Sequence, residues 1–166
     1  MITLVLGGAR SGKSEVAERA AAAAGDAVTY VATYVATGTA TDAEMAARIE
    51  EHRRRRPAGW TTVESGPDLA GALVVATGTV LVDALGTWLA QFEDVAVDTD
   101  ALCAALAGRR GDTVVVSDEV GLGVHPSTEV GRCFRDALGT LNRRVADVAD
   151  EVVLVVAGRV LRLDRT

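Results

Sequence analysis

The chain has 166 residues, 49% of them apolar and 24% charged, with a formal net charge of −6 and two cysteines. That length suits one domain with one core, and the composition excludes a disordered chain, a fibrous repeat and a disulfide-dense secreted scaffold. The acidic balance argues against a nucleic-acid partner, although screening over about 8 Å at physiological salt leaves local cations to decide any anion site.

Strand-like apolar runs alternate with helix-like segments, the pattern of an α/β protein with a mostly parallel sheet flanked by helices. The first run, Ile2–Leu6, follows Met1 without a basic leader or cleavage site, so a cytoplasmic protein is expected. An Ala-rich helix over Ser14–Ala24 is ended by Gly25. A strand at Val28–Thr33 follows, and its last four residues, YVAT, are repeated at once as Tyr34–Thr37. The duplication is too short to be an architectural repeat and lengthens the loop that follows. Thr41 and Glu44 form a capping box that opens a helix running to about Arg56, where Pro57 stops it. Strands at Thr61–Glu64 and Thr79–Asp83 flank a helical stretch beginning at Leu69.

The whole segment Leu69–Ala90 is apolar apart from Asp83 and a few Thr and Gly residues. A carboxylate in the middle of a membrane span costs about 2.5–3.5 kcal/mol, and Gly78 divides the segment, so it reads as core and no membrane span is expected. Helices over Asp100–Arg110 and Ser127–Val148, strands at Thr113–Ser117 and Glu151–Val156, and a short antiparallel edge strand at Val160–Leu163 complete the set. In the last helix Val130, Phe134, Leu138, Leu141 and Val145 keep helical spacing. Cys103 and Cys133 lack a C-x-x-C arrangement and are expected as buried, reduced thiols.

Gly7, Gly8, Ala9, Arg10, Ser11, Gly12, Lys13 and Ser14 fit G-x-x-x-x-G-K-S, with a strand before and a helix after. Glycines let such a loop wrap so that backbone amides and the positive helix end point at one phosphate. Lys13 then reaches the β- and γ-phosphates and the Ser14 hydroxyl binds Mg²⁺. Lys13 is the single lysine beside sixteen arginines, which marks a position where a compact ammonium is needed. A carboxylate at a neighbouring strand end completes a magnesium site. Asp83 closes an apolar strand in the place of a Walker B aspartate, or else caps the helix after it; Glu119 competes for the role. In the Thr41–Arg56 helix, His52 continues the stripe of Met45 and Ile49 and stands beside Arg53, Arg54, Arg55 and Arg56. Neighbouring cations would keep the imidazole neutral and nucleophilic while the arginines hold phosphates; a solvated basic helix end accounts for the same residues.

The segments GGARSGKS, YVATGTATDAEMAARIEEHRRRRPAGWTTVE, VLVDALGTWL, SDEVGLGVHP and FRDALGTLNRRVADVADEVVLVVAG are similar, in order, to the bifunctional adenosylcobinamide kinase/adenosylcobinamide-phosphate guanylyltransferase family. The resemblance covers almost the whole chain and implies one P-loop catalytic domain over residues 1–166 with a recombinase-type core, commonly assembled as a trimer. It implies two reactions of cobalamin biosynthesis: phosphorylation of adenosylcobinamide by ATP or GTP, then GMP transfer from GTP through a histidine-bound GMP, releasing pyrophosphate. His52 stands at the position of that histidine. By the same resemblance Thr37, Gly38, Thr39, Arg53 to Arg56, Glu64 and Asp83 line the nucleotide site. Asp118 stands where the family often has Asn, the YVAT duplication leaves the register at Thr33 or Thr37 open, and nothing carries over for Gln91–Asp112. His125, beside Pro126, reads as a loop residue.

Two other readings fit the phosphate motif: a P-loop kinase of another small metabolite with His52 structural, and a nucleotide-dependent switch. A GTPase-type switch reads guanine through N/T-K-x-D, which needs a second lysine that the sequence lacks.

Overall fold

The computed structural model describes residues 1–24, 27–33, 54 and 56–165. Their strands are β1 (Ile2–Gly7), β2 (Val28–Ala32), β3 (Thr61–Glu64), β4 (Thr79–Asp83), β5 (Thr113–Asp118), β6 (Glu151–Val156) and β7 (Arg159–Arg162). Their helices are α1 (Lys13–Ala23), α2 (Leu69–Val75), α3 (Leu85–Leu89), α4 (Thr99–Gly108) and α5 (Glu129–Val148). The expected helix from Thr41 lies outside the described residues, apart from Arg54 and Arg56.

The strands form one sheet in the order β3-β2-β4-β5-β1-β6-β7, parallel throughout except for the β6–β7 pair. Central strands read as continuous Val/Leu runs because both faces are covered, and β1 is buried at every position. Successive side chains alternate between two apolar layers. Leu4, Val80, Val82 and Val115 face α2, α3, α4 and α5; Val5, Leu81, Val114 and Val116 face Ala17 and Ala21 of α1. The small alanines let α1 lie close to the sheet.

The chain leaves β1, passes along α1 and re-enters as β2 beyond β5 and β4. The carboxyl ends of β1, β5 and β4 therefore stand side by side where successive crossovers diverge, the place where open α/β sheets bind ligands. The opposite end is tied down. The Ile2 amide donates to Asp150 Oδ2 at 2.6 Å and the Asp150 amide returns to Ile2 O at 2.8 Å. Arg109, its guanidinium pKa lowered by burial, donates to Leu73 O, Ala76 O and Gly78 O at 2.7–2.8 Å and to Thr113 Oγ1 at 2.9 Å.

Two expectations are corrected. Val130 is 77% exposed, because α5 meets the core only from Phe134 onward, with Leu138, Leu141, Asn142 and Val145 buried. Cys133 is exposed for the same reason, whereas Cys103 is buried and its thiol pKa is pushed up by that burial. No described helix is long and apolar enough to cross a membrane.

Candidate nucleotide site

The loop between β1 and α1 needs its glycines for measurable reasons. A Cβ on Gly7 would collide with Ser11 Oγ and lie 2.9 Å from Val155 O, and Gly12 sits at φ 91° as the residue before α1. Arg10 also has positive φ, at 56°. The loop closes through the Ser11 amide to Gly8 O at 3.3 Å and Val16 N to Gly12 O at 3.1 Å. From the side, the Gly158 amide in the β6–β7 turn donates to Ser11 O at 2.8 Å. Helix α1 thus begins at Lys13 with its first amides unused inside the helix, a ready anion site. The buried Ser11 hydroxyl has no hydrogen-bond partner among the described residues, a donor that a phosphate oxygen would satisfy.

Lys13 Nζ lies across this loop, 3.3 Å from Gly8 O and 2.7 Å from Asp118 Oδ1. Parallel pairing of β1 with β5 sets Asp118 opposite Gly7, which explains the meeting of two residues so distant in sequence. Asp118 is steadied from behind: Asn142 Nδ2 donates to its carbonyl at 3.0 Å, and Asn142 Oδ1 accepts from the buried Ser117 hydroxyl at 2.6 Å. Glu119 turns its carboxylate to the Gly121 amide at 2.6 Å, while its own amide holds Gly7 O at 3.0 Å.

Asp83 ends β4 one strand away, and its Oδ2 accepts from the Tyr30 hydroxyl at 2.5 Å. Tyr30 is 3% exposed; burial first, and the Asp83 charge next, push its phenol well above the usual range, so it remains a donor. The Arg56 guanidinium lies over the Tyr30 ring, 3.3 Å from its centroid, and Nη1 donates to Thr62 Oγ1 at 3.1 Å. The Thr33 hydroxyl accepts from the Ala84 amide at 2.9 Å and lies 2.6 Å from the Thr87 hydroxyl, while Gln91 Nε2 donates to Thr33 O at 2.5 Å. The first YVAT copy, Tyr30–Thr33, is built against Asp83 through Tyr30 and Thr33.

The structure gathers Gly7 to Ser14, Asp83 and Asp118 at the carboxyl end of the sheet, with Arg56 beside Asp83 through Tyr30. Glu64 ends β3 in register with Ala32, which is itself in register with Asp83. Arg54 is exposed. Thr37, Gly38, Thr39, His52, Arg53 and Arg55 lie outside the described residues. A hydroxyl at Ser14 and carboxylates at Asp83 and Glu119 are hard oxygen donors of the kind that hold Mg²⁺ together with nucleotide phosphates, whereas the Asp118 carboxylate is paired with Lys13. Reading the sequence alone missed Tyr30, Thr87 and Asn142, whose types are ordinary in a core and whose partners are set by strand order.

A strand, a glycine-wrapped loop closing on a helix end, an invading lysine and carboxylates on adjacent strand ends define a P-loop nucleotide-binding protein. The flagellar accessory protein FlaH of Methanocaldococcus jannaschii shares this fold, with a TM-score of 0.52 at 14% identity over 96% of this chain and 74% of that one. Residues 3–163 match the family described as cobinamide kinase / cobinamide phosphate guanyltransferase, and the chain belongs to that family. It is 42% identical to the bifunctional adenosylcobalamin biosynthesis protein CobP of Pseudomonas aeruginosa, covering 95% of this chain and 94% of that protein. It is 41% identical to the bifunctional adenosylcobalamin biosynthesis protein CobU of Salmonella typhimurium, covering 95% of this chain and 97% of that protein.

Proposed function

We propose that this protein phosphorylates adenosylcobinamide with ATP or GTP and then transfers GMP from GTP to the phosphate it has made. The observation that supports this reading is the family match over residues 3–163, which coincides with a formed phosphate loop facing strand-end carboxylates.

In the first reaction the hydroxyl oxygen of the aminopropanol arm bonds to the γ-phosphorus, the bond to the bridging oxygen breaks, and ADP or GDP departs as the hydroxyl proton is lost. Backbone amides of Gly8 to Lys13 and the start of α1 cradle the phosphates, and Lys13 trades Asp118 for the charge on the transferring group. In the second reaction a ring nitrogen of His52 bonds to the α-phosphorus of GTP and pyrophosphate leaves. A phosphate oxygen of adenosylcobinamide phosphate then displaces the imidazole, giving adenosylcobinamide-GDP and restoring His52. A covalent nitrogen–phosphorus intermediate divides one displacement between two anions into two easier steps. Ser14 and Asp83 would hold Mg²⁺, with Glu119 the alternative carboxylate; when bound, the ion neutralises charge shared between adjacent phosphates.

Incubation with α-labelled GTP and Mg²⁺ is expected to leave acid-labile, alkali-stable label on the protein, and His52→Ala to abolish it. Label retained by His52→Ala would reject that nucleophile, whereas label absent from the wild-type chain with kinase turnover intact would reduce the reading to a kinase.

A further inference from the structure

The Tyr30 hydroxyl joins two parts of the site that the sequence keeps apart, and no step above uses it. Its ring is a shelf for Arg56 at 3.3 Å, and its hydroxyl grips Asp83 at 2.5 Å. Arg56 is fixed at two points, by the ring and by Thr62 Oγ1, while its buried Nε has no partner among the described residues. Asp83 is fixed from its own side as well, because its backbone carbonyl accepts from the Thr33 amide at 3.3 Å. A phenol bonded to one carboxylate oxygen fixes the orientation of that carboxylate, and stacking on an aromatic ring fixes the plane of a guanidinium. Register explains why one side chain can do both: Tyr30 pairs with Leu81 on β4 and with Thr62 on β3, between the strand of Asp83 and the strand that anchors Arg56.

We propose that Tyr30 is a positioning residue that sets the Asp83 carboxylate toward the metal of a bound nucleotide and, through its ring, sets Arg56 toward an anionic group of the same ligand. The two halves separate by chemistry. Tyr30→Phe removes the hydroxyl and keeps the shelf; Tyr30→Leu removes both. The proposal rests on reading Asp83 as a magnesium carboxylate, and Asp83→Asn tests that reading independently.

The expected result for Tyr30→Phe is an apparent Mg²⁺ requirement raised about tenfold, the size of one hydrogen bond to a charged group, with kcat at saturating metal nearly unchanged. Mn²⁺ binding to the nucleotide complex, followed by electron paramagnetic resonance, should weaken by a similar factor. Tyr30→Leu should add a rise of several-fold in the nucleotide dissociation constant measured without metal, which Tyr30→Phe does not share. A metal requirement unmoved in Tyr30→Phe but raised in Asp83→Asn would overturn the role of Tyr30 alone; one unmoved in both would overturn the Asp83 reading. A measurement on an intact Tyr30 covers the case in which its variants do not fold. In a Tyr34→Phe chain Tyr30 is the sole tyrosine, because the sequence has two. Its 3-fluorotyrosine ¹⁹F resonance should shift when Mg²⁺ is added to the nucleotide complex, and a resonance indifferent to Mg²⁺ would overturn the proposal.

Discussion

The two ends of the sheet carry similar polar groups and use them in opposite ways. At the amino end Arg109 places its donors on Leu73 O, Ala76 O, Gly78 O and Thr113 Oγ1, and Asp150 closes a reciprocal pair with Ile2. At the carboxyl end Lys13 has a carboxylate that a phosphate can replace, and Ser11 Oγ has no partner among the described residues. A buried donor bonded to backbone carbonyls strengthens the fold, because leaving those carbonyls unpaired costs about 1–3 kcal/mol each. A donor with an exchangeable partner contributes little to the fold and is available to a ligand. The difference teaches which polar residues of this chain serve stability and which serve binding.

The largest expected effect breaks the binding end. Lys13→Ala should lower turnover by about 10²–10³-fold, the usual cost of one donor aimed at transition-state charge, while changing unfolding free energy by no more than about 1 kcal/mol. Steady-state kinetics beside chemical denaturation check both halves; a loss of stability that matches the loss of activity would erase the contrast. The mirror experiment is Arg109→Met, which should destabilise the chain by about 3 kcal/mol and leave the nucleotide KM of the folded protein unchanged. A changed KM there would mean that the two ends are coupled through the sheet.

Smaller effects sharpen the comparison. Ser11→Ala should weaken nucleotide binding about fivefold by calorimetry with almost no change in melting, since no hydrogen bond to the described residues is lost. A large melting shift would reveal a structural role for that hydroxyl. Asp118→Asn should tighten nucleotide binding about threefold at low salt and less at high salt, because a partly exposed ion pair worth under about 1 kcal/mol no longer competes for Lys13. Weaker binding would mean instead that Asp118 aims the lysine.

Much of this division was legible in the sequence. The strand–GGARSGKS–helix unit and the apolar strand ending at Asp83 follow from local rules of backbone freedom and hydrophobic period, and observed strand ends fall within a residue of those expected. What depended on strand order was not legible. Lys13 meets Asp118 because β1 neighbours β5, and Tyr30 meets Asp83 because β2 neighbours β4, pairings that no local pattern encodes. The exposure of Val130 escaped for a related reason: spacing gives the face of a helix, while the extent of the surface beneath it decides where burial begins. Asn142 interrupts the apolar stripe of α5 and looks like a solvent position until Ser117 and Asp118 O supply its partners.

The clasp of Gly158 on Ser11 O has a consequence for how the chain is made. Synthesis delivers the glycine-rich loop well before the β6–β7 hairpin that braces it. Strand β1 likewise waits for β5 and β6 before both its edges are covered. A ribosome-tethered fragment stopped before Val155 therefore has the phosphate-binding residues without the turn that braces them.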